Sequence, residues 1–171
     1  GTEYFLSDLH GEYDAFVHMI TSASGTIWDK IDELFVDYTD KQKKQLAYLI
    51  YNPKSQIKYH KHREEHFNEW CKNRIYELIE ICRSVSSKYS RKKIRNSLPS
   101  YMSNIMDEII NADDLENRTY YYRAIINSII TSGLGEKFII ELATATSRMA
   151  VDQLHIIGDV WDRGAHPEKI M

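Results

Sequence analysis

No apolar run in this chain approaches the roughly 18 residues of a membrane-spanning helix. Neither sign of charge dominates: 22 Lys and Arg stand against 25 Asp and Glu, a formal net charge of −3. Such a chain has no general attraction for nucleic acid or for an anionic membrane. Cysteine is scarce. Cys71 and Cys82 have neither metal-type nor redox-type spacing. Both fall in a helical pattern, where they read as reduced, packed thiols. That usage, with no visible secretory leader, fits a cytoplasmic protein. The sequon Asn117-Arg118-Thr119 would then go unused. Low-complexity segments and internal repeats are missing as well.

What is present is a hydrophobic content of 43% over 171 residues, enough for one cored domain and a small second one. Most of the middle is striped at helical spacing. Ala15, Phe16, Met19 and Ile20 predict a helix over about 13–22, ended by Ser24-Gly25. Ile27, Ile31, Leu34 and Phe35 predict a second. Leu46, Leu49 and Ile50 predict a third, stopped by Asn52-Pro53. A long helix is expected over about 61–87, with Ile75, Leu78, Ile79, Cys82 and Val85 on one stripe. Met102, Ile105, Met106, Ile109 and Ile110 mark a helix after Pro99. Tyr122, Ile125, Ile126, Ile129 and Ile130 mark the next, ended by Gly133 and Gly135. Phe138, Ile139, Leu142 and Ala143 mark the last.

The two ends read differently. Tyr4-Phe5-Leu6 and Leu154-His155-Ile156-Ile157 are short apolar runs of buried-strand type. Ser7-Asp8-Leu9-His10-Gly11 follows the first, and Gly158-Asp159-Val160-Trp161-Asp162-Arg163-Gly164 follows the second. In extended backbone, side chains two apart point the same way, so Asp8 and His10 can reach one cation. Gly11 lets the chain turn sharply. The two oxygens of Asp159 could bridge two metals. Arg163 carries a permanent, planar charge suited to phosphate oxygens. Asp162 is better placed to orient a neighbour than to bind metal. Two metals held this way would acidify a bridging water and clamp a phosphoryl group. Asp-x-His alone is a weak signal. Gly-Asp-x-x-Asp-Arg-Gly is far more specific, and the two in order, each after a strand, are more specific still.

The motifs stand roughly 150 positions apart, where a strand–helix–strand crossover needs only about 30. The expected architecture is therefore α/β. Residues 1–24 and 151–171 supply part of a sheet with two parallel strands, and 25–150 form an all-helical insertion or cap. By residue count the chain is mostly α.

Other polar features have plainer readings. His62 and His66 could sit one helical turn apart, with His60 nearby, but Arg63 breaks the zinc-protease pattern; a solvated polar face is expected. The basic run Ser90-Arg91-Lys92-Lys93-Ile94-Arg95 reads as a solvated helix end. Tyr120, Tyr121 and Tyr122 read as packing residues. His155 reads as a buried, hydrogen-bonded histidine, and His166 has no geometric claim on the site.

With those residues in hand, the chain resembles the class III fructose-1,6-bisphosphatases, the bacterial form on the calcineurin-like metallophosphoesterase scaffold. The resemblance runs from Tyr4 through Phe16, over Ala23-Ser24-Gly25 and Leu49-Ile50-Tyr51, to the Gly158–Gly164 motif. It implies hydrolysis of fructose 1,6-bisphosphate to fructose 6-phosphate and phosphate in gluconeogenesis, with manganese. It implies Asp8 and His10 on the first metal, Asp159 bridging both, Asp162 supporting and Arg163 holding phosphate. Ser/Thr phosphoprotein phosphatases and dinucleoside-polyphosphate hydrolases share the two motifs; the long helical insertion favours the sugar bisphosphatase. A non-catalytic alternative makes the helices an interaction or homo-oligomer module using the Ile125–Ile130 face. The family's Gly-Asn-His motif does not occur here. The expectation is a piece of a longer enzyme, weak in metal binding and inactive alone.

Overall fold

A computed structural model describes residues 25–110 and 115–165, with side chains for all of these except 108–110, 115, 117–118 and 151–165. All its regular elements are helices: α1 (Thr26–Leu34), α2 (Asp40–Tyr51), α3 (Pro53–Lys61), α4 (Phe67–Ser86), α5 (Arg91–Ser97), α6 (Ser100–Ile110), α7 (Leu115–Thr131) and α8 (Gly135–Ala165).

The central packing is between α4 and α8. The apolar stripe of α4 puts Ile75, Leu78, Ile79, Ile81, Cys82 and Val85 at zero exposure. Phe138, Ile139, Leu142, Ala143 and Met149 of α8 are equally buried. Around this seam, α1, α2 and α3 pack on α8, and α1 and α7 pack on α4. Ile27 and Ile31 seal α1 into the same core, and Leu46, Leu49 and Ile50 do so for α2. Helices this short are marginal alone in water, so the shared apolar core sustains them.

Local sequence sets the helix ends. Thr39 and Gln42 form a reciprocal capping box at the start of α2. Ser90 accepts from the Lys93 amide at the start of α5. After α7, Gly133 takes φ 76°. The amides of Gly133 and Leu134 then return to Ile130 O (3.1 Å) and Ile129 O (3.0 Å), a Schellman ending that favours glycine.

Three expectations change. Pro53 begins a helix instead of merely ending one: its fixed φ and missing N–H suit the first helical position. The long helix expected over 61–87 begins only at Phe67, as α4, and residues 62–66 link it to a separate helix, α3, which ends at Lys61. Those five residues are polar and carry no apolar period that would bury a continuous helix there. The strand expected at 154–157 is also helical, and α8 runs unbroken past the boundary placed near residue 151. Ala150, Leu154, Ile157 and Trp161 continue the helical spacing of the preceding turns. A four-residue apolar run fits either structure, and a helix meets its own backbone hydrogen bonds where a strand needs a neighbour. The sheet expected from 4–6 and the helix expected over 13–22 lie outside the described residues.

The Ile125–Ile130 stripe, the face that the non-catalytic alternative would use, faces inward. Ile126 and Ile129 are core residues, and Ile125 and Ile130 pack against them. Of the tyrosine triplet only Tyr122 is buried; Tyr120 is 73% exposed and Tyr121 52%. Cys71 and Cys82 are buried free thiols. Burial pushes their pKa values up to about 11 and about 12, which makes them inert core residues.

Candidate phosphoesterase site and its surroundings

Asp8 and His10 lie outside the described residues, as does His166. Asp159, Asp162 and Arg163 belong to the backbone of α8, at i, i+3 and i+4, with His155 one turn earlier. The described residues therefore bring the second motif onto one turn of helix. Among the side chains described, no group of three or more His, Cys, Asp or Glu residues is arranged to hold a metal.

The histidine cluster divides. His62 and His66 sit in the exposed link between α3 and α4 and do not share a helix. His60 has other partners. Its ring stacks on Trp70 at 4.7 Å, and its Nδ1 lies 3.2 Å from Glu64 Oε1. Burial lowers its pKa below the usual histidine value, against the opposing pull of Glu64.

The basic run forms α5 and the residue capping it. Arg95 pairs with Asp107 across to α6 at 2.6 Å, and Lys93 lies 4.2 Å from the centre of the Tyr89 ring. The Tyr89 hydroxyl in turn donates to Met149 O at 2.6 Å. Part of this run is thus structural, joining α5 to α6 and the α4–α5 link to α8.

The most buried charge-bearing group is Glu77 of α4, at 2% exposure. Its Oε1 accepts from Arg74 Nη2 and from the Tyr38 hydroxyl, each at 2.8 Å. Its Oε2 is buried without a partner, as is Arg74 Nε. Burial raises the Glu77 pKa, and the charge of Arg74 and the hydrogen bonds from Tyr38 and Arg74 oppose the shift without reversing it. Burial and the adjoining Glu77 hold the Tyr38 hydroxyl at a pKa of about 12. This bridge ties the link between α1 and α2 to the central helix. Only the i,i+3 spacing of Arg74 and Glu77 among buried isoleucines and leucines hints at it in the sequence.

A raised carboxyl pKa gives pH dependence of definite sign. The folded state keeps the Glu77 proton to higher pH than the unfolded state does. The associated stability is full below the ordinary value of 4.5 and is lost as pH rises through the folded value. In Glu77→Gln this dependence should vanish. Urea unfolding at stepped pH should show wild type losing ground to the variant as pH rises from about 4.5 towards neutrality. Parallel profiles would contradict the assignment.

Comparison with known proteins places the chain. A family profile described as Firmicute fructose-1,6-bisphosphatase matches residues 1–171. The chain belongs to that family. Fructose-1,6-bisphosphatase class 3 of Clostridium tetani (strain Massachusetts / E88) is 46% identical over 173 residues, covering 100% of this chain and 26% of its own length. The corresponding proteins of Clostridium beijerinckii (strain ATCC 51743 / NCIMB 8052) and Clostridium botulinum (strain Hall / ATCC 3502 / NCTC 13319 / Type A) are 43% and 44% identical over the same shares. The chain thus spans about a quarter of the length of these curated relatives. No solved structure matches it. No helix among the described residues is long and apolar enough to cross a membrane.

Proposed function

We propose that a full-length enzyme carrying this segment hydrolyses fructose 1,6-bisphosphate to fructose 6-phosphate and phosphate, a step of gluconeogenesis. The observation that carries the reading is family membership over the whole chain, joined to the two carboxylate motifs at its ends. The donor set of Asp8, His10 and Asp159 joins carboxylate oxygens, which suit manganese, to one imidazole nitrogen, which suits several first-row metals. Bound there, the metal pair supplies Lewis acidity towards a phosphoryl oxygen and a more acidic water.

The chain's own residues then have separate tasks. Asp8 and His10 would hold one ion, and Asp159 would contribute to holding the pair. Arg163 engages the phosphate oxygens in bidentate fashion and sets the orientation of the sugar phosphate. Asp162 accepts from a neighbouring donor and fixes its direction. Residues 25–150 are the helical segment between the two motifs. Cytoplasmic location follows from a soluble sugar-phosphate substrate and reduced, buried thiols.

A substrate panel on the full-length enzyme with manganese tests this reading. Fructose 1,6-bisphosphate should be turned over well ahead of phosphoserine peptides and dinucleoside polyphosphates. A preference for either of the latter would move the chain to another phosphatase function.

A further inference from the structure

Between the end of α1, the last turns of α4 and the start of α5 lies a cleft of about 430 Å³. None of its lining residues belongs to the two end motifs. Its size falls in the range of small-molecule sites. Its lining is of mixed polarity: Arg83, Arg91, Glu80 and serines, with Leu34 and Ile94 at the apolar margin.

Arg83 and Glu80 are held in place. Their side chains are 22% and 19% exposed, with Arg83 Nη1 3.7 Å from Glu80 Oε1 and 3.5 Å from the Tyr122 hydroxyl. Arg91 differs: it makes no hydrogen bond, ion pair or ring contact with another described residue. Elsewhere in the basic run Lys93 lies on Tyr89 and Arg95 pairs with Asp107, while Lys92, like Arg91, has no such partner among the described residues and does not line the cleft. The Ser84 hydroxyl likewise has no partner among the described residues, whereas the Ser87 hydroxyl donates to Ser84 O at 2.9 Å.

The charges do not describe a simple anion trap. Two arginines and one glutamate line the cleft, and the C-terminal end of α4 adds partial negative charge. An isolated phosphate would gain from Arg91 and Arg83 but lose against Glu80. A ligand joining an anionic group to several hydroxyls suits every part. Its phosphate meets the arginine fork, its hydroxyls donate to Glu80 and exchange hydrogen bonds with Ser84, and its carbon edge lies on Leu34.

We infer that this cleft is a binding site for a small phosphorylated sugar or polyol, with Arg91 and Arg83 on the phosphate and Glu80 on the hydroxyls. The site is independent of metal.

Isothermal titration of the 171-residue chain in EDTA tests it, with glucose 6-phosphate, glucose and inorganic phosphate as probes. Glucose 6-phosphate should saturate, and bind more tightly than either other probe. Arg91→Ala, a change at an exposed side chain, should weaken it about tenfold, the scale of one charge-assisted contact. Glu80→Gln should weaken glucose 6-phosphate while leaving inorganic phosphate unchanged or improved. The inference is overturned by any of three results: no saturable binding, affinity unchanged in Arg91→Ala, or equal affinity for glucose 6-phosphate and inorganic phosphate. Because EDTA removes the proposed catalytic metals, failure here leaves the phosphatase reading standing, and the reverse also holds.

Discussion

Replacing Asp159 by Asn in the full-length enzyme is expected to lower kcat/KM for fructose 1,6-bisphosphate by about a thousandfold or more, with the fold intact. The reasoning is chemical. An amide has nearly the size of a carboxylate but no charge and only one acceptor oxygen. It cannot hold two cations at once. Loss of an outer partner to a metal ligand typically costs about 10–100-fold, so loss of a bridging ligand should exceed that range. Arg163→Lys should be milder and fall mainly on substrate binding, because a point charge replaces a bidentate fork. Steady-state phosphate release at several manganese concentrations distinguishes them. Only the Asp159 variant should need more metal. Near-wild-type turnover by Asp159→Asn would remove that residue from the site.

The second large effect lies in the α4–α8 seam. Phe138 stands at zero exposure near the start of α8 and is among the largest fully buried side chains. Phe138→Ala removes most of an aromatic side chain from a close-packed core. Such changes cost about 3–5 kcal/mol through lost transfer energy and the cavity left behind. Against a typical total of about 5–15 kcal/mol, that is a large share. Urea unfolding followed by circular dichroism should show the loss directly. Tyr120→Ala is the control: at 73% exposure it should stay within about 0.5 kcal/mol of wild type. Equal effects of the two would mean that α8 does not pack on α4 as described.

Much of the helical body was legible because its stripes are long. Ile27 and Ile31, Leu46 to Ile50, Met102 and Met106, and Phe138 to Ala143 all recur at helical spacing and are all buried. The break at 62–66 was illegible because polar residues carry no period. Pro53 marked the end of α2 but not the start of α3, because proline can do both. Residues 154–157 were ambiguous by nature, since a four-residue run with three apolar members suits a buried strand or a helix face. The Tyr38–Glu77–Arg74 bridge was hidden because Tyr38 lies far from Arg74 and Glu77 in the chain, and only packing brings it to them. The chemistry proposed for the end motifs rests on residue type and spacing alone. Their meeting in space depends on contact between segments far apart in sequence, which no local pattern encodes.

Asp8, His10 and Asp159 are proposed to converge on manganese. Anomalous scattering from crystals of the full-length enzyme soaked with manganese is expected to show two peaks about 3.5–4 Å apart, with Asp159 near both and Asp8 and His10 near one. Peaks bound elsewhere, or an Asp8 carboxylate more than about 10 Å from Asp159 and so beyond any shared metal pair, would contradict it.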